Sequence, residues 1–278
     1  MRRNLIHIIL FILTVASTWL TWGLAYSVAV MIILLGHEMG HYFMSQKYGM
    51  SATLPFFLPL PLLSPFGTLG AVIRIRSPFL SRKALFDTGV AGPLTSFCLS
   101  IPAVVIGLKL SEVIPKSHIQ EGIFQLADPL LFSIVQRLVI GAVPGNYDVI
   151  LHPIAYAGWV GLFVTALNLL PVGQLDGGHI VYAIFGKNGR RIFLIAIAVM
   201  AFFFIFYCFA WFLPLLLMLL FGSRHPTPLE DQDSVDRKRK LIGGITFLAF
   251  LLSFTPTPFP EIPSLIEFID KGSSILLK

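Results

Sequence analysis

The chain has 278 residues, 56% of them hydrophobic and only 12% charged, with a net charge of +6. A mean hydropathy of +0.83 excludes a soluble globular or disordered chain and defines a polytopic membrane protein. The positive balance therefore concerns topology and lipid contact, and no nucleic-acid partner is expected.

Arg2 and Arg3 precede an apolar run from Leu5 to Leu20. A cleaved signal would begin similarly, but this run is long enough to span and no polar mature domain follows. A retained first helix over residues 4–22 is expected. A second span covers 24–45 and carries Gly36-His37-Glu38-Met39-Gly40-His41, after an uncharged run from Ala25 to Leu35. Residues four apart share a helix face, so the rings of His37 and His41 can reach one metal ion. Glu38 sits beside them, where it could take a proton from an activated water. Ionisable groups inside a span are costly, and three within five positions call for a function. Gly36 and Gly40, four apart, would let another helix approach closely, and packing alone would explain them.

Leu54–Pro65 is apolar, but its four prolines forbid a regular helix. Non-helical backbone at membrane depth must be buried in protein or line a wet cavity. Thr68–Arg76 has β-branched residues and an Ile/Arg alternation, and reads as a short strand. The part around Gly70–Ile75 could accept an extended substrate by edge addition, or could form a hairpin that only covers the site. A third span is expected at 84–110. Loop 111–150 is mixed in character, with a short interfacial helix around Pro129–Val143.

A fourth span, 152–185, contains Asn168-Leu-Leu-Pro-Val-Gly-Gln-Leu-Asp-Gly-Gly-His179. Pro171 and three glycines make continuous helix there costly, so an interruption is expected. Asp176 lies deep in this segment, and a metal is the best partner available to it. A fifth apolar segment, 192–221, would be about 45 Å long as one helix. It is expected to break near Pro214 or to form a tight re-entrant pair. The charged loop 223–240 and a shorter span near 241–255 complete the chain.

Cys98 and Cys208 fall in apolar segments and read as small buried hydrophobes, neither paired nor metal-binding. His7, His118, His152 and His225 sit near span ends, where interfacial roles are the default. His179, one turn from Asp176, is close enough to support a ligand.

Basic residues orient the chain. Arg2 and Arg3, then Lys47, Arg74, Arg76, Arg82 and Lys83, then Lys187, Arg190 and Arg191 all fall on one side if the N-terminus is cytoplasmic. Loop 111–150, with four acids against Lys116 and Arg137, falls on the other. In that frame His37 and His41 lie roughly 6–12 Å from the cytoplasmic end of the second span, and Asp176 about 13 Å from the same side. The two motifs thus reach similar depth.

At these two motifs the chain resembles the site-2 protease family of intramembrane zinc metalloproteases. HEMGH at 37–41 and NLLPVGQLDGGH at 168–179 are similar to its signatures in order and separation, and Gly89–Pro93 also looks like that family. The resemblance implies one zinc ion per chain, held by His37, His41 and Asp176, with Glu38 as general base and Asn168 near the scissile carbonyl. It implies a single intramembrane domain over 1–278, with a core at 1–191 and C-terminal helices at 192–278. The expected fold is all-α and polytopic, with about six transmembrane helices and a small membrane-associated β-hairpin or re-entrant segment after the second. With no room for a PDZ insert or a CBS pair, a short form is expected. The implied partners are the bilayer and a single-pass or small transmembrane protein substrate, which must unwind before cleavage; no oligomeric state is implied. A prokaryotic inner membrane is the expected location, with an organellar membrane as the alternative. Two other readings remain: a metal transporter using the same buried His and Asp residues, and a silent substrate-binding relative, against which Glu38 argues.

Overall fold

The computed structural model describes residues 2–61, 63–118, 125–222, 228–231 and 234–269. The fold is mostly helical, as expected. Helix α1 (Arg2–Lys47) is not continuous. Gly23, at φ +84° and ψ 171°, breaks it, a conformation that glycine adopts without strain. Ser27 Oγ donates to the Val15 carbonyl at 3.1 Å and meets Thr18 Oγ1 at 2.7 Å. In a straight helix residues 15 and 27 would stand about 18 Å apart. The two arms of α1 therefore run antiparallel, and they match the two expected spans.

The proline-rich stretch folds into a hairpin. Strand β1 (Phe56–Pro59) pairs antiparallel with β2 (Thr68–Val72), with Phe56 opposite Val72. The sequence suggested a strand only for the second of these. Its connecting turn is closed by the Leu60 N–H, which donates to the Gly67 carbonyl at 3.2 Å, and neighbouring side chains also reach its carbonyls. Trp22 Nε1 and Tyr156 Oη donate to the Pro65 carbonyl at 2.7 and 3.2 Å. Tyr26 Oη donates to Phe66 at 3.0 Å, and Ser17 Oγ to Gly67 at 2.5 Å. At the other end His7 Nδ1 donates to the Pro55 carbonyl at 3.0 Å. The hairpin is thus pinned along the first arm of α1 as a re-entrant element.

Helix α2 (Arg82–Lys109) starts at Ser81, whose side chain accepts from the Ala84 amide, a standard N-cap. Loop 111–150 contains a second small hairpin, β3 (Glu112–Pro115) with β4 (Tyr147–Ile150), which the sequence reading did not anticipate. Between its strands lies α3 (Leu130–Val139), the expected interfacial helix. Leu130, Ile134 and Leu138 form an exposed apolar stripe on it, while Phe132 and Val135 face the core.

The fourth and fifth segments are divided differently from expectation. Helix α4 (Pro153–Asn168) stops before the interruption, and α5 (Asp176–Phe185) starts after it. A 3-10 turn then leads α5 into α6 (Gly189–Phe206), so that Asp176–Phe206 forms one long apolar stretch. The next break falls at Tyr207–Cys208, not near Pro214. Pro214 instead occupies the first turn of α7 (Phe212–Phe221), where a missing N–H costs little. Helix α7 returns, because a Cβ on Gly222 would collide with the Phe193 ring near the start of α6. Helices α6 and α7 thus form a tight pair with no break at Pro214. Helix α8 (Arg237–Ser253) completes the described helices and begins inside the basic run. Residues 223–227, including Arg224 and His225, 232–233 and the tail from 270 lie outside the described residues.

The expected count of about six spans is not reproduced. By length and composition, three stretches among the described residues could cross a membrane: Leu5–Lys47, which is folded into two arms, Arg82–Lys109 and Asp176–Phe206. Hydropathy counts apolar residues but does not see where backbone chemistry cuts a segment. Helix α4, with 16 residues, is only about 24 Å long.

Candidate metal centre

Helices α1, α2 and α4 pack closely because small residues meet. A Cβ on Gly40 would lie 2.6 Å from the Ala91 carbonyl oxygen, and one on Gly158 would lie 2.8 Å from the Val104 amide. This is the packing role foreseen for Gly40. The close approach turns the inner face of the second α1 arm toward the α2 backbone and the start of α5.

His37, His41 and Asp176 meet there, and His37, Glu38 and His41 are all buried. His37 Nε2 and His41 Nε2 stand 3.1 Å apart, and each is 3.3 Å from Asp176 Oδ2. Donors about 2.0–2.1 Å from a tetrahedral zinc ion are separated by about 3.3 Å. The three atoms therefore describe one face of a zinc tetrahedron. The far ring nitrogens point the same way. His41 Nδ1 is 2.7 Å from the Thr88 carbonyl, which can only accept, so Nδ1 carries the proton and Nε2 offers its lone pair. His37 Nδ1 meets Ser96 Oγ at 3.0 Å; Ser96 Oγ meets Thr165 Oγ1 at 2.8 Å, and Thr165 donates to the Gly161 carbonyl at 2.7 Å. Three converging acceptors with no proton between them are poorly stable unless a cation joins them. The donor set fits one zinc ion.

The remaining residues surround this triad. A cavity of about 190 Å³ is lined by Glu38, Asn168, Gln174, His179 and Ala71–Ile73, together with the three ligand candidates. Ile73, just past the end of β2, lines this cavity together with Glu38. Asn168, the last residue of α4, brings its amide Nδ2 to 3.2 Å from His37 Nε2. His179 lines the cavity and its ring lies 5.4 Å from that of Phe79. Cys98 and Cys208 are free, and neither joins the cluster. Sequence reasoning missed Thr88 and Ser96, which orient the histidines. Thr88 acts through its main-chain oxygen, which carries no residue signature.

A two-histidine helix with a carboxylate third donor, enclosed by apolar helices, defines the class of membrane-embedded zinc metallopeptidases. The chain belongs to peptidase family M50, whose family model matches residues 25–211. It is 33% identical over 232 residues to "Probable zinc metalloprotease EGY1, chloroplastic" of Arabidopsis thaliana, covering 82% of this chain and 42% of that protein. It is 30% identical over 249 residues to "Probable zinc metalloprotease EGY2, chloroplastic" of Arabidopsis thaliana, covering 85% and 42%. Over 164 residues it is 36% identical to "Probable zinc metalloprotease EGY1, chloroplastic" of Oryza sativa subsp. japonica, covering 57% and 28%. The chain thus spans less than half the length of these curated relatives.

Proposed function

We propose that this protein is an intramembrane zinc endopeptidase that hydrolyses peptide bonds within transmembrane segments of single-pass or small membrane proteins. The observation that carries this reading is the 3.1–3.3 Å triangle of His37, His41 and Asp176 with Glu38 at its side. Zinc, when bound, supplies a Lewis acid that polarises a carbonyl and makes water a nucleophile near neutral pH. Glu38 accepts a proton from the attacking water and delivers it to the departing amine. Asn168, beside His37, offers N–H donors to the oxygen on which negative charge develops. The hairpin edge at Ala71 and Ile73 offers main-chain groups to an unwound substrate strand, holding it extended next to Glu38. The protein acts in a cell membrane of prokaryotic type, N-terminus cytoplasmic, or in an organellar membrane of the same orientation.

A metal transporter is the weaker reading. It needs a polar path on both sides of the site, whereas Tyr26, Val30, Ile33 and Leu162 are fully buried in an apolar core on one side. Purified protein should contain one zinc per chain and cleave a transmembrane reporter in detergent, and the Glu38→Gln variant should keep the zinc without cleaving. Zinc flux into liposomes without cleavage would favour transport instead.

A further inference from the structure

The ligand candidates come from α1 and α5, inside the stretch that matches the family. Helix α8 lies beyond that stretch, yet it returns one side chain to the scaffold of the site. Arg239 donates from Nε to Asp87 Oδ1 at 2.8 Å and from Nη2 to Asp87 Oδ2 at 2.6 Å, a two-pronged pairing. The same Nη2 donates to Tyr48 Oη at 3.1 Å, and Tyr48 donates to Asp87 Oδ2 at 2.5 Å. Asp236, the N-cap of α8, accepts from the Arg239 amide at 3.0 Å and pairs with its Nη1.

The position of this knot matters more than its strength. Tyr48 follows the end of α1, seven residues after His41. Asp87 directly precedes Thr88, whose carbonyl holds His41 Nδ1 at 2.7 Å. Near the metal the two helices meet through Gly40 and Gly92. Backbone contact at these glycines sets the spacing of α2 against α1, but leaves few side chains to interlock and resist rotation. A rigid polar tie at the end of that interface can supply that resistance.

We infer that the Arg239–Asp87–Tyr48 clamp is a positioning device for His41. It fixes α2 against α1 so that the Thr88 carbonyl orients the ring toward the metal, and it makes α8 part of the metal centre. This rests on the zinc reading above. Arg239→Lys keeps the charge but loses the planar fork, so it should not restore the geometry.

The test compares Arg239→Lys, Asp87→Asn and Tyr48→Phe with Gly243→Ala in the full-length protein. Gly243→Ala disturbs the apolar packing of α8 without touching the clamp, because its Cβ would lie 2.7 Å from Ile184 Cδ1 and 3.5 Å from the Phe86 ring. The readouts are zinc release to a chelator, the visible spectrum of the cobalt-substituted protein, and thermal melting. Breaking the clamp should speed zinc release about 10- to 100-fold, as losses of groups supporting a ligand do, and should alter the cobalt bands. Gly243→Ala should do neither at an equal loss of melting temperature. Unchanged release and spectra in Arg239→Lys and Asp87→Asn would overturn the proposal. So would Gly243→Ala moving them equally far. A wild-type protein that binds zinc and cobalt no better than His41→Ala fails earlier and sinks the metal-site reading itself.

Discussion

Replacing Gly92 by alanine tests the metal centre without touching a ligand. A Cβ at this position would clash with the His41 imidazole, 2.6 Å from its Cε1 and nearer still to Nε2. The ring has little freedom to yield. Its Nδ1 is tied to Thr88 at 2.7 Å, and its Nε2 already stands 3.1 and 3.3 Å from the other two donors. Relief requires either a ring displacement approaching an ångström or separation of α1 from α2. Metal–ligand distances tolerate only about 0.2 Å, so the variant effectively loses one of three ligands. Overpacking a core costs about 1–3 kcal/mol, so the protein should still fold. Zinc affinity should fall at least about 100-fold, beyond the usual loss from removing a supporting group. Competition with a chelator measures this, with melting as the folding control and Gly244→Ala, whose Cβ meets nothing within 4 Å, as the neutral substitution. Wild-type zinc affinity in a folded Gly92→Ala protein would refute the geometry.

Other expectations can be checked alongside it. Glu38→Gln should abolish cleavage and retain zinc, since an amide keeps the shape but cannot accept the proton; turnover at the wild-type rate would remove Glu38 from the mechanism. Asp176→Asn should lower zinc occupancy, with His37→Ala and His41→Ala losing more. Full occupancy in an inactive Asp176→Asn protein would assign the aspartate a supporting role. Proline at Ile73 removes a main-chain donor beside the cavity, so cleavage of helical substrates should fall more than cleavage of a short extended peptide. Equal losses in a folded variant would take the hairpin out of substrate binding. Desolvation, with Asp148 nearby, pushes the Asp128 carboxyl up to about 6. The folded state therefore holds this proton more tightly than the unfolded chain, and stability falls as pH rises from about 4 to 6. Asp128→Asn should accordingly raise the melting temperature at pH 7.5 and leave it nearly unchanged at pH 4; a pH-independent effect would show that the carboxyl does not titrate in this way.

The site was largely legible in the sequence, because its chemistry is local. His37, Glu38 and His41 lie within five residues, and helical periodicity alone aligns the two rings. Asp176 was legible by its cost, as a lone acid deep in an apolar segment. The interruption after Asn168 followed from residues whose backbone preferences are strong, and the break at Gly23 falls between the two spans expected at 4–22 and 24–45. What sequence could not supply were contacts made by main chain or across long separations. The Thr88 carbonyl that fixes the His41 tautomer could belong to any residue type; a small hairpin was expected after the second span, but not its register, with Phe56 opposite Val72. The turn at Tyr207–Cys208 has no proline or glycine to mark it, and the reversal that follows is visible only where Gly222 meets Phe193. Arg239 read as one of several basic residues near a membrane surface. Only the packing of α8 against α2 brings it to Asp87, 152 residues earlier in the chain, because a charge pattern carries no information about which partner the fold will deliver.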